Sequence, residues 1–305
     1  RSSPACWGNV LIGDSPAGPL KNAPVAWWKS GLTSVAGQTG ARLIPFEEVT
    51  WERLGHHDYF IARPVVEADL VINLPKLKTH MLTLYTGAVK NLFGTIPGTR
   101  KRELHFEAPG VQDFSAILVD VLELVRPGLT IMDGVLGQEG NGPGLSGTPH
   151  AYGLLAASTD PVALDVVMTQ AMGYRRGEVL HVAQAGARGL GVADVDGVSI
   201  RGSRAALDLG DVCLPSPHWY FRAPAWAAAP LRRITRLRPQ MTDAALCIGC
   251  DKCVEACPRD AITPGQPPAF DLDRCIGCLC CAEVCPRGAI EPHRNLLARL
   301  IGMGY

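Results

Sequence analysis

Nine of the eleven cysteines fall between Cys247 and Cys285, leaving only Cys6 and Cys213 outside. Cys247, Cys250, Cys253 and Cys257 follow the pattern C-x2-C-x2-C-x3-C, with Pro258 after the last; Cys275, Cys278, Cys281 and Cys285 repeat it, with Pro286 after the last. That run is the ligand pattern of two-cluster iron–sulfur modules. A cubane presents four iron corners a few ångströms apart, and three thiolates on one tight loop reach only three of them. The fourth thiolate comes from the other repeat. The spacing therefore assigns Cys247, Cys250, Cys253 and Cys285 to one 4Fe–4S cluster, and Cys275, Cys278, Cys281 and Cys257 to a second. Gly249 and Gly277 stand where the backbone has to turn closely and aim its amides at sulfur. A zinc ribbon, built from two separated C-x2-C pairs, fits poorly, and a secreted disulfide scaffold would spread its cysteines through the chain. Cys280 breaks no spacing and reads as a spare thiol. Two clusters held together make a relay or a two-electron store. The expected cofactors are two 4Fe–4S clusters, and the expected location is the reducing cytoplasm.

A second concentration of chemistry lies upstream. Lys76, Lys78, His80, Lys90, Arg100, Lys101 and His105 are close in sequence, just after an apolar run that reads as a strand. Ligands of open α/β sheets bind beyond the carboxyl ends of strands, and clustered cations there suit a carboxylate or a phosphate. His80 and His105 are candidates for proton delivery, because reducing an organic substrate usually requires protons as well. Asp133 ends another apolar run and precedes Gly137-Gln-Glu-Gly140-Asn-Gly142-Pro-Gly144, read as a loop lining a pocket, with Asp133 and Glu139 as contacts. The catalytic candidates are thus Lys78, His80, Lys90, His105 and Asp133, with an ordinary basic surface loop as the open alternative. No Gly-Lys-Ser/Thr follows, and the run from Gly137 to Gly144 does not itself have the G-x-G-x-x-G spacing of a dinucleotide turn, so neither a flavin nor a nicotinamide is assigned. Asp160, directly before Pro161, reads as a helix N-cap. Asp165 faces either pocket or solvent.

The elements that position these residues alternate. Asn9–Ile12, Ala41–Pro45, Ala68–Asn73, Leu129–Met132 and Gly153–Ala157 read as strands, Ala68–Asn73 and Leu129–Met132 as buried ones. Ala26–Gln38, Val111–Val125 and Pro161–Met172 read as helices, and Phe114, Ile117, Leu118, Val121, Leu122 and Val125 form the stripe of an amphipathic one. The fold class is α/β: a parallel or mixed sheet flanked by helices, followed by a small α+β two-cluster ferredoxin-like domain. The expected division is an α/β domain over 1–212, a Pro/Trp/Arg-rich linker over 213–240, the cluster module over 241–292 and a tail over 293–305. Trp219, Phe221 and Trp226 are expected to pack the linker on the larger domain, with Arg232, Arg233, Arg236 and Arg238 on a solvated face. Asn295–Ile301 is expected to be a covering helix. In the cluster module, Ala261-Ile262 and Ala289-Ile290 read as matching strand starts of a duplicated hairpin.

The stretches Lys76-x-Lys78-Thr79-His80, Lys90-Asn91-x-x-Gly94, Asp133-Gly134 with the glycine run, and Asp160-x-x-Ala163-x-Asp165 resemble the domain of unknown function 362 family. Many of its members carry a C-terminal ferredoxin module. The resemblance covers roughly Val10 to Arg201 plus the cluster module, and implies a fold and a redox role but no established reaction. Members usually have a further strand and helix before the part matching Val10. With Arg1 in place of a methionine, that leads to the expectation of a truncated start.

The 305 residues carry 29 Lys+Arg against 29 Asp+Glu, so no global field recruits nucleic acid or an anionic membrane. With 47% hydrophobic and 19% charged residues the composition is that of a globular core, and no run has the ~18 apolar residues of a membrane span. The expected function is an iron–sulfur oxidoreductase whose clusters exchange electrons with an external donor or acceptor protein and pass them to a small anionic substrate. The alternatives are a non-catalytic electron carrier that docks a partner enzyme, and a redox-sensing binding protein.

Overall fold

The computed structural model describes residues 8–15, 23–46, 48–54, 57–98, 100–108, 110–142, 147–215, 238–255, 257, 259–275, 277, 281–282, 285–293 and 295–296. Strands β1 (Leu11–Gly13) and β2 (Arg42–Ile44) pair in parallel across helices α1 (Ala23–Lys29) and α2 (Leu32–Thr39). The single helix expected over Ala26–Gln38 is two, because Gly31 adopts φ 82°, outside the helical region. A hairpin of β3 (Val49–Leu54) and β4 (His57–Ala62), which the sequence reading passed over, precedes α3 (Arg63–Val66).

The central sheet has six strands, β5 (Ile72–Asn73), β6 (Lys76–His80), β7 (Leu84–Thr86), β8 (Leu129–Gly140), β9 (Gly147–His150) and β10 (Leu154–Ser158). It is mixed: β5 and β6 run parallel to β8, whereas β9 and β10 pair antiparallel to β8, and β7 antiparallel to β6. Two expectations are corrected here. Ala68–Asn73 is not a buried strand, because only Ile72 and Asn73 pair and Ile72 is 49% exposed. Pro75, which has no N–H to give a ladder, interrupts the run, and pairing resumes at Lys76. Leu129–Met132 continues to Gly140, so the first glycines of the supposed loop, Gly137 and Gly140, lie in a strand paired with β9. Asn141 and Gly142 follow it, and residues 143–146 lie outside the described residues.

Helices α4 (Ala88–Asn91), α5 (Arg100–Glu107), α6 (Val111–Val125), α7 (Pro161–Ala171) and α8 (Leu180–Ala187) complete this part. α6 has the bounds its periodicity predicts and buries Phe114, Ile117, Leu118, Val121 and Leu122. These join Leu77, Tyr85, Val89, Leu92, Met132, Val162, Met168 and Val182 in one core, each large side chain contributing about 1.5–3 kcal/mol on burial. Buried Asp120 of α6 accepts from Tyr59 Oη at 2.5 Å and from Arg188, tying the hairpin and the end of α8 to the core.

The cluster module begins earlier than expected. β11 (Arg238–Met241) pairs antiparallel with β14 (Ile290–His293), so Arg238–Gln240 belong to a strand rather than to a linker. β12 (Ile262–Thr263) pairs with β13 (Ala269–Phe270), and α9 (Lys252–Glu255) carries Cys253. The expected contacts of Trp219, Phe221, Trp226, Arg232, Arg233 and Arg236 fall outside the described residues, as do Cys280 and all but the first two residues of the Asn295–Ile301 helix. Among the described residues, no helix is long and apolar enough to cross a membrane.

Candidate iron–sulfur and anion sites

In the cluster module, one recess is lined by Cys247, Cys250 and Cys253 together with Cys285 of the second repeat. Ile248, Gly249, Pro286, Ala289 and Ile290 are among the other residues of its walls. Gly249 at φ 64° and Gly277 at φ 73° adopt the left-handed turn that a side chain would strain, at equivalent positions of the two repeats. Backbone amides point at sulfur in both: Ala261 N–H donates to Cys257 Sγ at 3.2 Å, Ala289 N–H to Cys285 Sγ at 3.3 Å and Gly277 N–H to Cys275 Sγ at 3.4 Å. Amide donors aimed at a thiolate stabilise its charge, as cluster ligation requires. Burial, with the sulfurs of Cys250 and Cys247 adding to it, pushes the Cys253 thiol up. An apo thiol there prefers its proton, which a metal would displace. The described cysteines are all free, and Cys253, Cys257, Cys281 and Cys285 pack around Ile262 and Ile290. This donor set fits iron–sulfur clusters. Cys278 lies outside the described residues.

The basic residues divide. Alternation along β6 puts Lys76, Lys78 and His80 on one face and buried Leu77 and Thr79 on the other. Lys76 Nζ pairs with Asp133 at 2.5 Å in the open, and this hydrogen bond holds the Asp133 carboxyl below its usual range. His80 turns back on its own chain, Nδ1 accepting from Leu82 N–H at 3.1 Å and Thr83 N–H at 3.3 Å, which leaves the proton of a neutral ring on Nε2. The side chain of His105 lies outside the described residues. Glu139 accepts from Cys213 N–H at 3.1 Å and lies 3.5 Å from His150 Nδ1, pinning the chain after residue 212 to β8.

Lys90 feels the charges of Lys78 and Lys101, and those two feel that of Asp14; Lys101 is one of the basic residues singled out from the sequence, and Asp14 is not. Asp14 and Ser15 follow the carboxyl end of β1, and Ser15 receives the next segments: Gly98 N–H donates to its Oγ at 2.9 Å and Lys101 Nζ to its carbonyl at 2.7 Å. Burial holds the Asp14 carboxyl above its ordinary value against the pull of Lys101 and Lys78. Burial also lowers Lys78, partly offset by Asp14. Lys90 is partly accessible, yet burial, reinforced by the charges of Lys78 and Lys101, lowers it to about 7. Its Nζ stands 5.9 Å from the ring centre of Phe93 and 5.6 Å from that of Phe114. Lys78 and Lys101 thus share the charge of Asp14 and act against the Lys90 ammonium.

The turn that carries Lys90 is fixed from below. Asp165, expected to face pocket or solvent, is fully buried and accepts from Ala88 N–H at 2.7 Å, Val89 N–H at 2.8 Å and Tyr85 Oη at 2.9 Å. Its burial raises it to about 7 against those three donors. Asn73 Nδ2 donates to the Ala88 carbonyl at 2.9 Å, and Asn91 Nδ2 to Asn73 Oδ1 at 2.8 Å. Gly87 is required, because a Cβ there would stand 2.1 Å from Tyr85 Oη and 2.3 Å from Asp165 Oδ1. His181, also unforeseen, stacks on Tyr85 and is driven down to about 3 by burial and by Lys90, so it is neutral. Asp160 caps α7, accepting from Val162 N–H at 2.8 Å and Ala163 N–H at 2.9 Å.

Residues 4–170 match a family described as a domain of unknown function, DUF362, and residues 246–289 match a 4Fe-4S dicluster domain. A thylakoid-associated protein of Synechocystis sp. is 46% identical over 110 residues, which is 36% of this chain and 34% of that protein. The matched stretch thus spans about a third of the length of that relative.

Proposed function

This chain belongs to the DUF362 family and ends in a 4Fe-4S dicluster domain, and we propose that it is an oxidoreductase in which two 4Fe–4S clusters exchange electrons with an external partner protein and deliver them to a small anion held by the α/β part. The dicluster domain supports iron–sulfur electron transfer. The observation that carries the finer reading is the recess shared by Cys247, Cys250, Cys253 and Cys285, which supports crosswise ligation between the repeats, with Cys257, Cys275, Cys278 and Cys281 around the other cluster. When bound, such clusters supply one electron each at low potential. Lys78, Lys90 and Lys101 would bind the anion, Asp14 would orient Lys78 and Lys101, and His80 would hold a proton on Nε2. The free cysteines fit a reducing compartment such as the cytoplasm.

The alternative of an electron carrier docking a partner enzyme is favoured by the outer sheet face, where Leu74, Val135 and Leu155 (67%, 55% and 68% exposed) surround the Lys76–Asp133 pair. Anaerobic purification followed by iron and labile-sulfide analysis and electron paramagnetic resonance tests the core reading. Cys250→Ser and Cys285→Ser should alter the same signal, and Cys257→Ser the other. Grouping of Cys285→Ser with Cys275→Ser instead would remove the crosswise assignment, and zinc without labile sulfide would remove the redox reading. Turnover of a small anionic acceptor that fails in Lys78→Ala with the clusters intact separates enzyme from carrier.

A further inference from the structure

We propose that Gln266 is a positioning residue of the first cluster site: it seats the bend over residues 264–268 against the recess shared by Cys247, Cys250, Cys253 and Cys285, and so holds down the reduction potential of the cluster bound there. The inference rests on the cluster assignment proposed above and adds to it a residue outside the cysteine motif. Gln266 Nε2 donates to the carbonyl of Cys247 at 2.9 Å. Its Oε1 lies against Gly249, 3.2 Å from where a Cβ would stand on that residue, which holds φ 64°. One side chain thus touches both the first ligand residue and the turn that follows it. Gly265 and Pro268, on either side of the Gln266–Pro267 pair, line the same recess. Pro268 is buried, whereas Gln266 is exposed.

The two repeats differ at this point. Ala261-Ile262-Thr263-Pro264 of the first corresponds to Ala289-Ile290-Glu291-Pro292 of the second. In the first repeat the chain leaves β12, bends beside the recess and returns as β13. In the second it continues as β14 to His293, paired with β11. The turns are held differently as well. Gly277 N–H donates to Cys275 Sγ at 3.4 Å, and among the described residues Gly249 N–H makes no such bond to Cys247 Sγ. The first turn is instead tied through the carbonyl of its ligand residue, by Gln266.

A cubane held by four thiolates gains one negative charge on reduction. Water beside it stabilises that charge, as does each N–H aimed at sulfur, and both raise the potential. Apolar groups that keep water away act in the opposite sense, because a charge in a drier site costs more. Gly265 and Pro268 bring only backbone and ring carbons of that kind to the recess, and Pro268 has no N–H to give. Their bend has little to hold it from within, since β12 and β13 pair only through Ile262 with Phe270 and Thr263 with Ala269. Gln266 is the tie at its far end. Without that tie the bend can lift, water reaches the sulfurs and the potential rises.

The test is an anaerobic redox titration of the whole chain with its clusters, followed by electron paramagnetic resonance. Gln266→Ala should raise the midpoint of the signal that Cys250→Ser alters and leave in place the one that Cys275→Ser alters, with iron and labile sulfide unchanged. Deuterium modulation of the first signal in heavy water should deepen in the same variant. Gln266→Met, of equal length but without a donor, should move the same midpoint in the same direction. An unmoved midpoint in Gln266→Ala, or an equal movement of both signals, overturns the proposal. A native midpoint in Gln266→Met overturns the hydrogen bond as what seats the bend. Failure of the crosswise assignment is read separately, from Cys285→Ser, and leaves Gln266 judged against the signal of Cys250.

Discussion

Lys90 has to respond to pH in two opposite ways. Burial and the neighbouring ammoniums bring it to about 7, from an ordinary value of 10.5. Between those two values the unfolded chain carries a proton that the folded one does not, so this residue's contribution makes stability rise with pH from about 7 to about 10 and stay level outside that window. The proposed anion binding runs the other way, because it needs the ammonium. Affinity for sulfate, whose own charge is constant over this range, should by calorimetry be flat below about pH 7 and then weaken, approaching tenfold per pH unit, and Lys90→Met should abolish that slope. A slope unchanged in Lys90→Met would show that another group titrates. The exposed Lys76–Asp133 pair belongs to a different class: half of each side chain is in water, which limits its worth to under about 1 kcal/mol.

The short helix α4 cannot hold itself, since four residues form too few internal bonds to nucleate a helix. Its geometry comes from Asp165 of α7, from Asn73 of β5 and from the room that Gly87 leaves. Asp165→Ala would strand two amide donors and the Tyr85 hydroxyl in a dry interior, at about 1–3 kcal/mol for each group left unpaired. Gly87→Ala drives a methyl into the same Tyr85–Asp165 contact. Both variants should lower the thermal midpoint and weaken phosphate binding. Because they break one joint, the double variant should lose clearly less stability than the two losses added together, as chemical denaturation would measure. Simple addition would mean that the two residues support separate features. Legibility at this scale followed locality. α6 was readable because its stripe is continuous over its whole length. The run Ala68–Asn73 misled because apolar content alone does not reveal the break at Pro75, and the glycine run misled because composition does not reveal the β9 partner that turns Gly137 and Gly140 into strand.

At the scale of the molecule, the dicluster module was legible because the whole signal is local spacing, whereas the proposed anion site draws on Asp14, Lys78, Lys90 and Lys101, which sit on or beside four separate elements. No periodicity announces that an aspartate after the first strand will act on the charge of a lysine on the sixth, or that Asp165 of a later helix will hold the Lys90 turn. What assembles these parts is β8. Its edges are taken by β5 and β6 on one side and by β9 and β10 on the other, from Leu129 to Gly140. A ribbon gripped along both margins has no fraying route of its own, so its amide protons can reach solvent only when the entire α/β part lets go. In deuterium exchange, the amides of Ile131 through Gly134 should be among the last to label, at a rate that tracks global unfolding in denaturant, while those of the two-stranded β1–β2 pair exchange far earlier.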